Sequence, residues 1–156
     1  DAVSIPVLAA GGIADGRGIA ASFMLGAVGV QVGTRFLVAN ECTISQVYKD
    51  KVLKARDTDT IVTGKRLGHP MRSLKNPFSK EFAKLEYDTS VTAEELEKMG
   101  LGALRRAARE GDAKGGTFLA GQVASMVKKE QPAAEIITEM FAEAEEILKG
   151  AAKWVR

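Results

Sequence analysis

The spacing of apolar positions changes along this chain, and each change marks a different kind of element. "IPVLAA" (5–10) is a short continuous apolar run bounded by proline and glycine, the pattern of a strand buried on both faces of a parallel sheet. Arg17 to Gly26 places Ile19 and Phe23 four residues apart with Ala20 and Ala27 alongside, which predicts a short amphipathic helix. "AVGVQVG" (27–33) alternates strictly: Val28, Val30 and Val32 share one face, and Gly29, Gln31 and Gly33 the other. Strand, helix and strand in so few residues predict a βαβ unit with parallel strands. The glycine and glutamine face would look into something that needs room.

Beyond Gly33 the period becomes helical. Ile44, Val47, Tyr48, Val52 and Ala55 predict a helix over 44–55. Residues 58–76 mix β-formers with glycine and proline and predict two extended segments around a turn at Gly64 to Gly68. Asn76 followed by Pro77 is an N-cap with proline at the first helical position, and Phe78, Phe82 and Leu85 form its apolar stripe. Thr92 and Glu95 stand in capping-box spacing for a helix ending at Gly100, and "ALRRAARE" stops at Gly111. Residues 115–132 predict a helix with Leu119, Val123 and Val127 on one face. Residues 133–149 predict the last, with Ile136, Ile137, Met140, Phe141, Ala144, Ile147 and Leu148 as core or subunit contact. Two strands alone leave unpaired edges, so the missing strands must come from another segment.

Composition narrows the functional classes. The 156 residues are 46% hydrophobic, ordinary for a globular domain, and 22 Lys and Arg against 20 Asp and Glu give a formal charge of +2. That balance is far from the basic field of a nucleic-acid binder. One cysteine, Cys42, excludes an intrachain disulfide framework and a thiolate metal cage, and fits a reducing cytoplasm. No apolar stretch approaches the roughly 20 residues of a membrane span. The chain opens at Asp1 and runs almost at once into a buried-looking strand, which suggests a fragment or a processed piece.

The chemistry concentrates at "AAGGIADGRG" (9–18). A strand, two glycines and a helix start present backbone N–H groups with no Cβ in the way, beside the positive end of a helix dipole, a geometry that binds anions and above all phosphate. The plain alternative is a tight βα turn. What favours the anion site is a second corner, "QVGTRF" (31–36), which ends the next strand with another glycine and a hydroxyl. Phosphate-gripping loops after the last two strands are a feature of (β/α)₈ barrels.

"IPVLAAGGIADGRGIAASFMLGAVGVQVGTRF", with "GHPMR", "KN", "GALRRAAREGD" and "GGTFLAGQVASMV" behind it, resembles the C-terminal half of the FMN-dependent enoyl-acyl carrier protein reductase II group. That group shares its barrel with the nitronate monooxygenases, also called 2-nitropropane dioxygenases. The resemblance implies an α/β fold: residues 1–45 as the last two strands of a (β/α)₈ TIM barrel, and 46–156 as a hairpin and a smaller, mostly helical lid or substrate domain. The N-terminal half of the barrel would be a partner of this chain, which alone would not hold FMN. Gly11 and Gly12 correspond to the first phosphate-binding corner, and Gln31, Val32, Gly33 and Thr34 to the second. Gly121 and Gln122 match the "AGQ" element that folds back on the flavin side.

His69 is the sole histidine, but it precedes a proline in an irregular segment and no partner for it is recognisable. It is read as structural or near the substrate mouth. Arg72, Lys75 and Asn76 match the motif after it and would shape a lid, and no catalytic residue is expected in this chain. Asp15 reads most simply as an N-cap. Lys65, Arg66, Lys80 and Lys84 could meet an acidic acyl carrier protein, or form a solvated face. The resemblance implies NADH or NADPH as donor, an enoyl thioester on acyl carrier protein as acceptor, a homodimer, and possible dependence on a monovalent cation. A nitronate monooxygenase using oxygen is the alternative, and a non-catalytic subunit with a plain glycine turn is a third.

Overall fold

In the computed structural model, residues 2–154 are described, and they form two compact units. Of the described residues, the first unit joins 2–42 to 130–154, and the second comprises 43–129. The last helix thus groups with the first strands, whereas the resemblance placed it in the stretch 46–156.

In the first unit, β1 (Leu8–Ala10) and β2 (Gly29–Gln31) pair in parallel, with Leu8 opposite Gly29, Ala9 opposite Val30 and Ala10 opposite Gln31. Helix α1 (Gly16–Met24) connects them, giving the βαβ unit that the alternation predicts. The N-cap is Asp15, whose side chain accepts from Gly18 N–H at 3.1 Å. Helix α6 (Ala133–Gly150) packs along α1. Ile13, Ile19, Ala20, Ala39, Ile136, Met140 and Ala144 form the core, and Val30 and Val32 lean against it. Burying an isoleucine as completely as Ile19 or Ile136 is worth roughly 2–3 kcal/mol. Of the apolar positions expected on α6, Ile137, Phe141 and Ile147 stay exposed.

Within this chain Leu8 of β1 is 62% exposed and Val28, just before β2, 64%, on a sheet that the sequence reading expects further strands to complete. β1 and β2 each have one neighbour among the described residues.

In the second unit Ser45 caps α2 (Gln46–Leu53), its side chain accepting from Tyr48 N–H. The two extended segments form an antiparallel hairpin, β3 (Thr60–Thr63) with β4 (Met71–Leu74). Gly64 at its turn has φ +81°, and a Cβ there would stand 2.4 Å from the His69 carbonyl oxygen. Helix α3 (Pro77–Glu86) carries the Asn76 cap, and α4 (Ala93–Gly100) the Thr92/Glu95 capping box. A helical segment, α5 (Ala103–Arg105), continues as one wider turn over Arg106–Glu110 and stops at the left-handed Gly111.

The helix expected over 115–132 is absent. Gly116, Phe118 and Ala120 are buried at period two, and the stretch runs extended beside the hairpin, with Leu74 N–H donating to Phe118 O and Ala120 N–H to Arg72 O. Phe118 meets Tyr48 edge to face at 4.9 Å, and the Tyr48 hydroxyl donates to Leu119 O at 2.7 Å. Pairing to an otherwise open hairpin edge outweighed the helical spacing of Leu119, Val123 and Val127, and only a short 3₁₀ turn (Gln122–Met126) remains. Among the described residues no helix is long and apolar enough to cross a membrane.

Candidate functional site

The last paired residues of the small sheet, Ala10 and Gln31, put the two glycine corners side by side in the first unit. Gly11 and Gly12 adopt φ +94° and +72°, the left-handed region, where an L-residue costs roughly 1–2 kcal/mol. A Cβ on either would meet no atom within 4 Å, so conformation and not crowding requires glycine. Gly33 differs. Its φ of −104° and ψ of −67° suit any residue, and its Cβ direction is equally empty. Among the described residues neither dihedral nor neighbour explains a glycine at 33. Thr34 then opens a 3₁₀ turn (Thr34–Val38).

Helix α1 contributes less than expected. Its Gly16 N–H donates to Glu143 Oε2 at 2.7 Å, and its Gly18 N–H donates to Asp15. Two carboxylates therefore already occupy the positive end of the dipole. Burial pushes the Asp15 carboxyl up, but the Arg17 guanidinium at 2.7 Å and the Gly18 N–H outweigh it and hold the group below its usual range. An anion at the corner would depend on the exposed backbone around Gly11, Gly12 and Gly33.

Gln31 is exposed on the face opposite Val30, as the alternation predicts, and the Val32 side chain turns to the core, leaving its backbone for the corner. The sequence reading passed over Arg35, which is 7% exposed. Its Nη2 donates to Gln131 Oε1, and Gln131 Nε2 donates to Glu139 Oε1 at 2.8 Å. Burial lowers the Arg35 pKa, partly opposed by the charge of Glu139. An arginine inside the apolar run "TRFLV" was the available signal. The chain of contacts ties the residue after Thr34 to the segment entering α6.

The remaining predicted residues lie in the second unit. His69 is exposed at the hairpin turn, and Arg72 donates to Thr60 Oγ1 at 2.9 Å across the hairpin. Lys75 Nζ donates to Thr58 O at 2.6 Å. Asn76 offers nothing to a ligand. It is 5% exposed; its Oδ1 accepts from Ser79 N–H, and its Nδ2 donates to Gly116 O at 2.7 Å and to Ala113 O at 3.2 Å. Its expected lid role is replaced by a structural one. Gln122 is exposed at the start of the 3₁₀ turn. No group of three or more His, Cys, Asp or Glu side chains capable of holding a metal ion occurs among the described residues.

Two parallel strands with their connecting helix, ending together in bare-backbone corners, define a section of a β/α barrel. The chain belongs to the nitronate monooxygenase family, whose description matches residues 1–143. A probable nitronate monooxygenase of Staphylococcus saprophyticus is 41% identical over 129 residues, 82% of this chain and 36% of that protein. FabK from Thermotoga maritima superposes with a TM-score of 0.93 at 44% identity, covering 98% of this chain and 48% of that one. A nitroalkane oxidase from Streptomyces ansochromogenes superposes at 0.78 with 33% identity, covering 96% and 42%. The chain thus spans between about a third and a half of the length of these relatives. The family is one of FMN-dependent flavoenzymes.

Proposed function

We propose that this chain supplies the FMN-phosphate corners of an oxidoreductase that reduces the double bond of an enoyl thioester on acyl carrier protein with NADH or NADPH. The observation that carries the flavin site is the glycine at 33, which neither backbone nor packing explains, beside the left-handed Gly11–Gly12 pair. The residues present fit a phosphate: bare, exposed backbone on two adjacent strand ends, with no side chain in the way. Gly11, Gly12, Gly33 and Thr34 hold the phosphate oxygens through N–H groups, and the Thr34 hydroxyl is a further donor. Arg35, locked to Gln131, keeps the second corner from shifting. Gln31 presents its amide on the face opposite the core, where it can orient the ligand. The chemistry the bound flavin supplies is two-electron transfer from the nicotinamide to the thioester. The remainder of the barrel completes the site, and the enzyme works as a cytoplasmic homodimer.

What supports the reductase is the higher structural similarity to FabK, at TM-score 0.93, than to the nitroalkane oxidase, at 0.78. The staphylococcal relative favours a second reading, oxidation of nitronates with oxygen. An anaerobic titration of the full-length protein separates them. Bleaching of the flavin by NADH or NADPH and recovery on adding a crotonyl thioester supports the reductase. A flavin indifferent to both donors but bleached by a nitronate establishes the second reading, and a full-length protein that binds no flavin overturns both.

A further inference from the structure

Charge is divided sharply between the two units. Residues 43–129 hold 17 of the 22 Lys and Arg but 11 of the 20 Asp and Glu, a net of +6, while the rest of the chain carries −4. Within the second unit the excess gathers at a half-open cleft of about 860 Å³ between α2, the end of β4 and α3. Its floor includes Val47, Ala55 and Leu74, and its cations are Lys51, Lys54, Arg56, Lys75 and Lys80. The two carboxylates of the cleft are already engaged: Asp59 with Arg56 at 3.1 Å, and Asp50 with Lys54 at 3.9 Å and Gln46 at 3.0 Å. Lys51 lies over the Phe118 ring at 5.0 Å and Lys75 donates to a backbone carbonyl, so neither forms a salt bridge. Lys51, Lys75 and Lys80, on three separate segments, thus line one concavity with no salt bridge to a carboxylate among the described residues, and of the three the charge of Asp59 reaches Lys75 alone.

We propose that this cleft binds the phosphate group of a small molecule, with Lys51, Lys75 and Lys80 as its cationic contacts and the apolar floor under the organic body. A concave site of this volume suits a nucleotide-sized ligand, whereas an acidic protein surface would be met by lysines on a flat or convex face. The same phosphate-ester chemistry occurs in a nucleoside diphosphate and in a phosphopantetheine-bearing thiol. The inference does not rest on the flavin reading, since every lining residue belongs to the second unit.

The test is calorimetric titration of the full-length, flavin-loaded protein with pyrophosphate, ADP, coenzyme A and, as a control, adenosine. Saturable binding of pyrophosphate that adenosine does not reproduce is expected, falling as salt rises from 50 to about 200 mM. K75Q/K80Q weakens it roughly tenfold. Single K51Q and K80Q variants keep the test open should the double variant fold poorly, and K98Q on α4, outside the cleft, leaves binding unchanged. Tighter binding of ADP than of 4′-phosphopantetheine, titrated alongside, identifies a nucleotide, and the reverse order a phosphopantetheine carrier. No saturable pyrophosphate binding, equal weakening by K98Q, or capture of an acidic carrier protein without any small phosphate overturns the proposal. The flavin absorbance of the same samples reports separately on the phosphate corners of the first unit.

Discussion

Glu143 in α6 accepts a hydrogen bond from the N–H of Gly16, the first residue of α1, at 2.7 Å. The contact is possible because Gly16 has no side chain: a Cβ there would stand 2.5 Å from Ala144 N and from Glu143 Cβ. Gly16→Ala should therefore push two helices apart and cost about 1–3 kcal/mol or more in urea denaturation. Glu143→Gln keeps an acceptor and should stay within about 0.5 kcal/mol of wild type, and Glu143→Ala should lose about 1 kcal/mol. A stable Gly16→Ala protein would mean that α1 and α6 are less closely packed than described.

The three corner glycines should separate under substitution. Gly12→Ala forces an L-residue to φ +72° and should lower stability by about 1–2 kcal/mol. Gly33→Ala meets neither strain nor clash and should melt within about 0.5 kcal/mol of wild type. Both should weaken FMN retention in the full-length protein, measured by recovery of free-flavin fluorescence on dilution. Unchanged retention in Gly33→Ala would remove that residue from the phosphate site.

Both ends of the buried Asn76 amide are committed to backbone groups. Asn76→Ala removes the cap of α3 and strands the carbonyl of Gly116, for a loss of about 2–4 kcal/mol. Asn76→Asp keeps the acceptor for Ser79 but turns a donor into an acceptor facing Gly116, and should fall between. Chemical denaturation ranks the three.

Ser73 presents the opposite case. Its hydroxyl is buried with no partner among the described residues, so Ser73→Ala should be neutral or stabilising by up to about 1 kcal/mol. A clear destabilisation would reveal a buried water at that oxygen.

Acid should loosen α1 in a defined order. The Asp15 carboxyl sits lower in the folded protein than in the unfolded chain, so its contribution is complete above the unfolded carboxylate range. That contribution disappears as pH falls through the lowered folded value. Asp15→Asn retains an acceptor for Gly18 but loses the Arg17 charge pair. The slope of stability against pH between about 5 and 2 should therefore be shallower in the variant. Identical slopes would assign the acid sensitivity elsewhere.

Elements defined by short-range rules were legible in the sequence. Alternation located β2, paired turn residues located the hairpin, and side-chain caps located α1, α3 and α4 at Asp15, Asn76 and Thr92. What escaped depended on partners far away in the chain. The spacing of Leu119, Val123 and Val127 mimics a helix, but the free edge of β4 draws Phe118 and Ala120 into extended structure. The dipole of α1 looked available for a ligand because Glu143, 127 residues away, was not recognisable as its partner. Arg35 was overlooked because a buried guanidinium makes sense only once Gln131 is beside it. Glycine itself was ambiguous in sequence: the same letter serves conformation at Gly12, close packing at Gly16 and open backbone at Gly33.

The chain leaves the first unit and returns to it at neighbouring points. Ala39 bridges Gln131, Asn40 N–H donates to Gln131 O at 2.9 Å, and Glu41 accepts from Ala133 N–H at 2.8 Å. Everything from 43 to 129 is therefore a cassette whose two stems are clasped together. Because loop-closure cost grows only with the logarithm of length, such a cassette can be lengthened, trimmed or exchanged while the strands and their glycine corners keep their places. Descent within the family can therefore vary the inserted unit without rebuilding the strands that carry it.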